Sequence, residues 1–165
     1  MTRQEITLLN LGSSLDDLAN LDPKGYGVCK LLYNAAIEYT KKPLCLNAAE
    51  KLCECLKKGD TVFVLTGFVL APFNKAETDG VISSVLLASV LEKSLGVKTV
   101  IVCPEDAVKA IEKMSEHIGV NPETVVFTKD FEKAEEQAES IIALYNPYAV
   151  ISIECPSANK IGLYH

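Results

Sequence analysis

Arginine is almost absent from this sequence. Of the 16 basic residues in 165, only Arg3 is an arginine, and against 22 Asp and Glu they leave a net charge of −6. A surface that tracks a phosphate backbone needs a basic face and usually arginine forks. Nucleic acid is therefore not an expected partner, and neither is an anionic membrane surface. No apolar run is long enough to span a bilayer. The most apolar stretch, Val62 to Phe73, is broken by Gly67 and Pro72, and a span needs about 20 residues. The N-terminus, MTRQEITLLN, shows no charged segment leading into a long apolar run. No signal peptide is read there, and a cytoplasmic location is expected. Neither G-x-G-x-x-G nor G-x-x-x-x-G-K-[ST] occurs, which removes the common phosphate-cradling loops. The two histidines, His117 late in a helical stretch and His165 at the last position, do not favour a Ser-His-Asp or Cys-His arrangement. The six cysteines include no C-x-x-C pair. They are read as reduced and mostly as small buried hydrophobes, with Cys53 facing the core and Cys55 not.

What is present is a globular composition, 48% hydrophobic and 23% charged, with mean hydropathy +0.18. The first 58 residues read as helical. A short segment near Gln4–Leu11 precedes a polar Gly12-Ser13-Ser14 stretch, and Asp22-Pro23-Lys24-Gly25 is a turn signal. Cys29, Leu32, Ala36 and Tyr39 recur at helical spacing. So do Cys45, Ala49, Leu52, Cys53 and Leu56. Beyond Gly59 the pattern changes to short β-branched runs, Thr61–Thr66, Thr99–Cys103, Thr124–Thr128 and Ala149–Ile153. Nearly continuous apolar runs of that length suit strands buried on both faces. They alternate with helical stretches at Asp79–Leu95, Glu105–His117 and Asp130–Tyr145. Right-handed crossovers turn this alternation into an α/β fold. A Rossmann-like three-layer sandwich is expected, with a mostly parallel sheet of about four strands. The expected organisation is a helical segment 1–58 packing on an α/β core 59–165, as one domain.

In such sheets ligands sit outside the carboxyl ends of the strands. The connection from Gly67 to Thr78 is long for a strand-to-helix loop, which usually takes about 2–6 residues, and it is read as functional or a lid. Acidic residues follow every strand: Glu77 and Asp79, then Glu105 and Asp106, then Asp130, then Glu154. Glu105, Asp106 and Asp130 suit helix N-termini, where acids pair with free amides and the dipole. Glu77 and Glu154 are not placed to cap a helix. If they converge, the cleft is acidic and favours an ammonium group or a divalent cation. Lys75 is a candidate partner for a ligand carboxylate. Cys103 and Cys155 stand at strand ends and are read as structural thiols.

Several of these residues also form a pattern. Thr66-Gly67-Phe68 ends a strand, Glu77-Thr78-Asp79-Gly80 opens a helix, Ser152-Ile153-Glu154 ends a later strand, and Ile161-Gly162-Leu163-Tyr164 follows. This order resembles the family of the D-glutamate cyclase C-terminal domain, from about Ala48 onward. Val81-Ile82-Ser83-Ser84 follows the tetrad where members often carry prolines, a glycine and an alanine. Cys155 stands where members often have an arginine, so no anion contact is expected there. The resemblance implies that the family pattern is still running at His165.

D-glutamate cyclases convert D-glutamate to 5-oxo-D-proline with loss of water, and in the animal proteins this domain follows a separate hydro-lyase-like domain. The resemblance implies a lyase, and three readings stay open. In one, Glu77, Asp79 and Glu154 contact the substrate amine and move its protons, with Thr66, Gly67, Lys75, Thr78 and Gly80 as binding residues. In the second, the domain is a non-catalytic module that binds a small amino-acid-like ligand or a hydro-lyase partner. The third, nucleotide binding, rests on fold analogy alone. A divalent metal on Glu77, Asp79 and Glu154 fits the residue types, although the sequence demands no cofactor. No helix is read after Glu154, so one sheet edge is expected to lack cover. A homo-oligomer, or association with a missing C-terminal segment, is the expected consequence.

Overall fold

The computed structural model describes residues 1–70, 73, 75–155 and 160–161. The parts of the last motif at 162–165, and of the presumed loop at 156–159, lie outside the described residues. The chain divides into two compact units, Met1–Cys55 and Leu56–His165.

The first unit is helical: α1 (Arg3–Ala19), α2 (Val28–Thr40) and α3 (Leu44–Cys55). A reciprocal capping box starts α1. The Glu5 amide donates to Thr2 Oγ1 at 3.2 Å, and the Thr2 amide donates to Glu5 Oε2 at 2.7 Å. Contrary to the sequence reading, α1 does not stop at Gly12-Ser13-Ser14 but runs through it. A Cβ on Gly12 would lie 2.8 Å from Leu46 Cβ and 3.1 Å from Pro43 Cβ. The glycine serves close approach of α1 to the start of α3 rather than a break. Asp16 is buried, and its carboxylate accepts hydrogen bonds from the Leu44 amide (2.6 Å), the Cys45 amide (2.9 Å) and the Tyr33 hydroxyl (3.0 Å). One side chain of α1 thus caps α3 and holds α2. Cys53 is exposed, as are Cys55 and Cys29, which corrects the expected burial of Cys53. The helical period identifies a stripe but not what covers it, and Leu32 and Tyr39 on the α2 stripe are exposed as well.

The second unit is the α/β core. Strands β1 (Thr61–Leu65), β4 (Lys98–Cys103), β5 (Glu123–Val126) and β6 (Ala149–Ser152) form one parallel sheet in the order β5-β4-β1-β6. Helices α4 (Thr78–Leu95), α5 (Glu105–Ile118) and α6 (Phe131–Tyr145) connect them, close to the stretches read from the sequence. Alternation along the strands divides the core between the two faces. Val64, Ile101 and Cys103 pack with Val81, Val85 and Ala88 of α4 and with Ala107 and Ile111 of α5. On the opposite face Phe63, Val100 and Val102 pack with Ile141 and Tyr145 of α6, and the Phe63 and Tyr145 rings meet edge to face at 5.8 Å. These layers make a Rossmann-like three-layer sandwich. From β1 the chain moves outward through β4 to β5, then returns to the other side of β1 as β6. The order therefore reverses between β1 and β6, the kind of position where open α/β sheets bind ligands.

The long connection after β1 is not a plain loop. Its ends pair as a short antiparallel ribbon, β2 (Val69–Leu70) with β3 (Lys75–Ala76). Ala76 of the ribbon packs against the core, and the chain then enters α4 through Glu77.

Candidate functional site at the β1–β6 exit

Thr66 leaves β1 with its amide bonded to Val102 O at 3.1 Å. Gly67 follows at φ +131°, where a Cβ would strike Pro104 Cδ at 2.1 Å. Only glycine fits that conformation and that contact. Phe68 then serves both sides of the cleft. Its amide donates to Glu154 O at 3.1 Å, and its carbonyl accepts from the Glu77 amide at 2.9 Å. The end of β6 and the start of α4 are thereby fixed to the same residue.

On this frame the carboxylates of Glu77, Asp79 and Glu154 converge, one oxygen from each lying within 4.8 Å of the other two. Glu77 is half-buried, and Asp79 and Glu154 are exposed. Glu77 occupies the N-cap position of α4, contrary to the sequence reading, yet its side chain makes no capping hydrogen bond. Asp79 Oδ1 accepts from the Gly80 amide at 2.9 Å, which steadies that carboxylate. Glu154 has φ +48°, a left-handed conformation that costs a non-glycine residue about 1–2 kcal/mol.

Gly80 lies beneath the triad. A Cβ there would lie 2.8 Å from Thr66 Oγ1, 3.0 Å from Glu154 Cβ and 3.5 Å from Glu154 Cγ. The missing side chain lets the Glu154 stem and the Thr66 hydroxyl approach the first turn of α4. Thr66 is 3% exposed, and its Oγ1 has no hydrogen-bond partner among the described residues.

The remaining binding candidates are placed as follows. Thr78 is the first residue of α4 and is exposed. Lys75 lies on β3, exposed, and close enough to Asp106 to favour its ionised form. A Lys129 hydrogen bond and ion pair hold Asp106 below its ordinary carboxylate value, chiefly through the hydrogen bond. Asp106 and Lys129 belong to a cleft of about 530 Å³ at the β4–β5 exit, which Glu105, Thr128 and Gln137 also line. Much of its polar lining is already used. Gln137 accepts from the Thr128 amide and donates to Val126 O, and Thr128 Oγ1 accepts from the Asp130 amide. Asp130 caps α6 through the Glu132 amide at 3.1 Å, as its position suggested.

The structure thus brings together Glu77, Asp79, Glu154, Thr66 and Gly80, and places Lys75 on the ribbon next to Glu77's strand end. Sequence reading missed the Phe68 main-chain bridge, because no side-chain signal marks it. Chemically the triad concentrates negative charge in oxygen donors at an open strand end, an arrangement suited to a cation or an ammonium group.

The family model described as D-glutamate cyclase-like, C-terminal, matches residues 15–165. No curated protein and no solved structure matches the chain.

Proposed function

The chain belongs to the D-glutamate cyclase-like C-terminal family, and from that premise we propose that it binds a small amino-acid-like ligand at the β1–β6 exit. The observation that carries this reading is the convergence of Glu77, Asp79 and Glu154 within 4.8 Å at the point where the strand order reverses. The amine end of the ligand lies at the triad, and Lys75 on the adjoining ribbon meets a ligand carboxylate.

The finer reading is dehydrating cyclisation of D-glutamate to 5-oxo-D-proline. In that reaction the amine nitrogen bonds to the side-chain carboxyl carbon. One C–O bond of that carboxyl breaks, and its oxygen leaves as water carrying two protons from the ammonium group. A carboxylate of the triad accepts a proton from the amine and returns it to the departing oxygen, an acid–base role that needs hydrogen-bond reach to both atoms.

The second reading is a non-catalytic ligand-binding module that serves a hydro-lyase partner. The exposed setting of Asp79 and Glu154 favours it, since catalysis usually gains from excluded water. Incubation of the purified chain with D-glutamate, followed by chromatographic measurement of 5-oxo-D-proline, separates the two. Turnover lost in Glu77→Gln and Glu154→Gln supports the cyclase. Saturable binding without product supports the module. Neither binding nor turnover contradicts both.

A further inference from the structure

We propose that the groove between α4 and α5 binds a medium-chain carboxylate, an apolar chain ending in one acid group. The site goes beyond the strand-exit reading and uses none of the three carboxylates there. The groove encloses about 400 Å³, within the roughly 300–1,000 Å³ of small-molecule pockets. Its lining is mostly apolar, with Val81 and Ile82 from α4, Ala110 and Met114 from α5, and Ala76 from the ribbon. Val81 belongs to the core cluster, and Ala76 and Met114 pack against it, so the fold itself fixes the floor.

The walls are less covered. Ile82 is 40% exposed, and Ala110 is exposed as well. On α5 the residues Ala110, Lys113, Met114 and His117 fall at i, i+3, i+4 and i+7, so one flank of the helix supplies all four. The side chain of Ala110 ends at its β-carbon, which leaves room between the two helices.

The polar groups set the chemical class of the occupant. Lys113 brings an ammonium group and His117 an imidazole N–H. Among the described residues neither side chain makes a hydrogen bond or an ion pair. The cleft at the β4–β5 exit differs in this respect, since its Lys129 is already paired with Asp106. No Asp or Glu lines the α4–α5 groove, although the chain carries 22 acids and a net charge of −6. A carboxylate therefore meets an unpaired cation there without a competing anion, and gains a charge-assisted hydrogen bond. Its chain removes the exposed sides of Ile82 and Ala110 from water. A compact anion leaves those walls wet, and an uncharged chain forgoes the ammonium group. A medium-chain carboxylate uses both.

The test is isothermal titration of the full chain with sodium octanoate at fixed pH and ionic strength, beside octanol and sodium acetate. Saturable binding of one octanoate per chain is expected, with octanol and acetate weaker by about tenfold or more. The double variant Lys113→Gln, His117→Gln is expected to weaken octanoate binding about tenfold or more. Ala110→Phe fills the groove and is expected to abolish binding. Ile82→Glu, at an exposed position, sets a like charge beside the ligand and is expected to do the same without disturbing the core. Glu135→Gln, an exposed acid elsewhere, leaves binding unchanged, and circular dichroism confirms that each variant is folded. No saturable octanoate binding overturns the proposal. So does octanol binding as tightly as octanoate, or unchanged affinity in the double variant or in Ile82→Glu. A dimer in sedimentation equilibrium that dissociates in Ile82→Glu, without octanoate binding, assigns the groove to a second copy of the chain and overturns the proposal as well.

Discussion

Glu154 and Glu77 are joined through the main chain of a single residue. Glu154 O accepts from the Phe68 amide at 3.1 Å, and Phe68 O accepts from the Glu77 amide at 2.9 Å. Two acidic residues 77 positions apart in sequence are thereby held at one strand exit by main-chain hydrogen bonds. The like charges repel, and the backbone bridge holds them in spite of that.

Glu154 carries the cost of this arrangement in its backbone. At φ +48° a glutamate is strained by about 1–2 kcal/mol, and such strain clusters at functional sites. Replacing it with glycine relieves the strain, while the freer unfolded chain offsets about 0.5–1 kcal/mol of the gain. Glu154→Gly is expected to be as stable as wild type, or slightly more so, in urea unfolding, and to lose ligand binding. A melting temperature lowered by many degrees would instead make Glu154 a structural residue.

Gly80→Ala tests the floor of the site. Alanine improves helix propensity by about 1 kcal/mol. The new methyl, however, meets Thr66 Oγ1 at 2.8 Å and Glu154 Cβ at 3.0 Å, and overpacking typically costs about 1–3 kcal/mol. A net loss of stability, together with weakened ligand binding, is expected. A variant more stable than wild type with unchanged binding would mean that the two neighbours yield freely.

Asp16 gives the helical unit an acid-sensitive tie. Burial pushes its pKa up. Hydrogen bonds from the Cys45 thiol and amide, the Leu44 amide and the Tyr33 hydroxyl outweigh burial and bring it below the ordinary value. The folded pKa therefore lies below the unfolded one. The stability it contributes is fully present above the unfolded value of about 3.9 and is lost as pH falls through the folded pKa. Asp16→Ala is expected to cost about 2–4 kcal/mol at neutral pH, since it removes the α3 cap and leaves buried donors unpaired. Its acid unfolding profile, followed by circular dichroism, should be shallower than that of wild type. An unchanged acid limb would contradict the assignment.

The thiols divide by exposure. Cys29, Cys53 and Cys55 are exposed, and Cys103 is buried, its pKa pushed up to about 11 by burial. Since the thiolate is the reactive form, an aromatic disulfide reagent at neutral pH should modify the first three rapidly and Cys103 only on unfolding. Rapid modification of Cys103 in the native protein would contradict its place in the core beside Val64 and Ile111.

Much of this fold was legible because the α/β core has simple signals. Runs such as Thr61–Thr66 and Thr99–Cys103 are nearly all apolar or β-branched, and they fall on β1 and β4, with helices between the strands bounded by Gly96, Gly119 and Asp130. The β2–β3 ribbon was not legible, because two-residue strands carry no period. Gly12 read as a break, since its role depends on the approach of Pro43 and Leu46 from α3. Asp16 carries no mark in sequence that distinguishes it from Asp17, although only its carboxylate reaches the α3 amides. For the site, each acid could be placed at a strand exit. Their meeting depends on β6 pairing with β1 rather than with β5, and strand order is not written in local sequence.

That Glu77, Asp79 and Glu154 together bind an amino-acid-like ligand is a proposal open to direct measurement. Its most direct test is isothermal titration of D-glutamate into the wild-type chain and into Glu77→Gln and Glu154→Gln, with melting temperatures measured alongside. Saturable binding to wild type is expected, with affinity reduced by about tenfold or more in each variant, since a charge-assisted contact worth about 1.5–3 kcal/mol is removed. The melting temperatures should stay nearly unchanged. Equal affinity in all three proteins, or variants that lose binding only because they unfold, would contradict it.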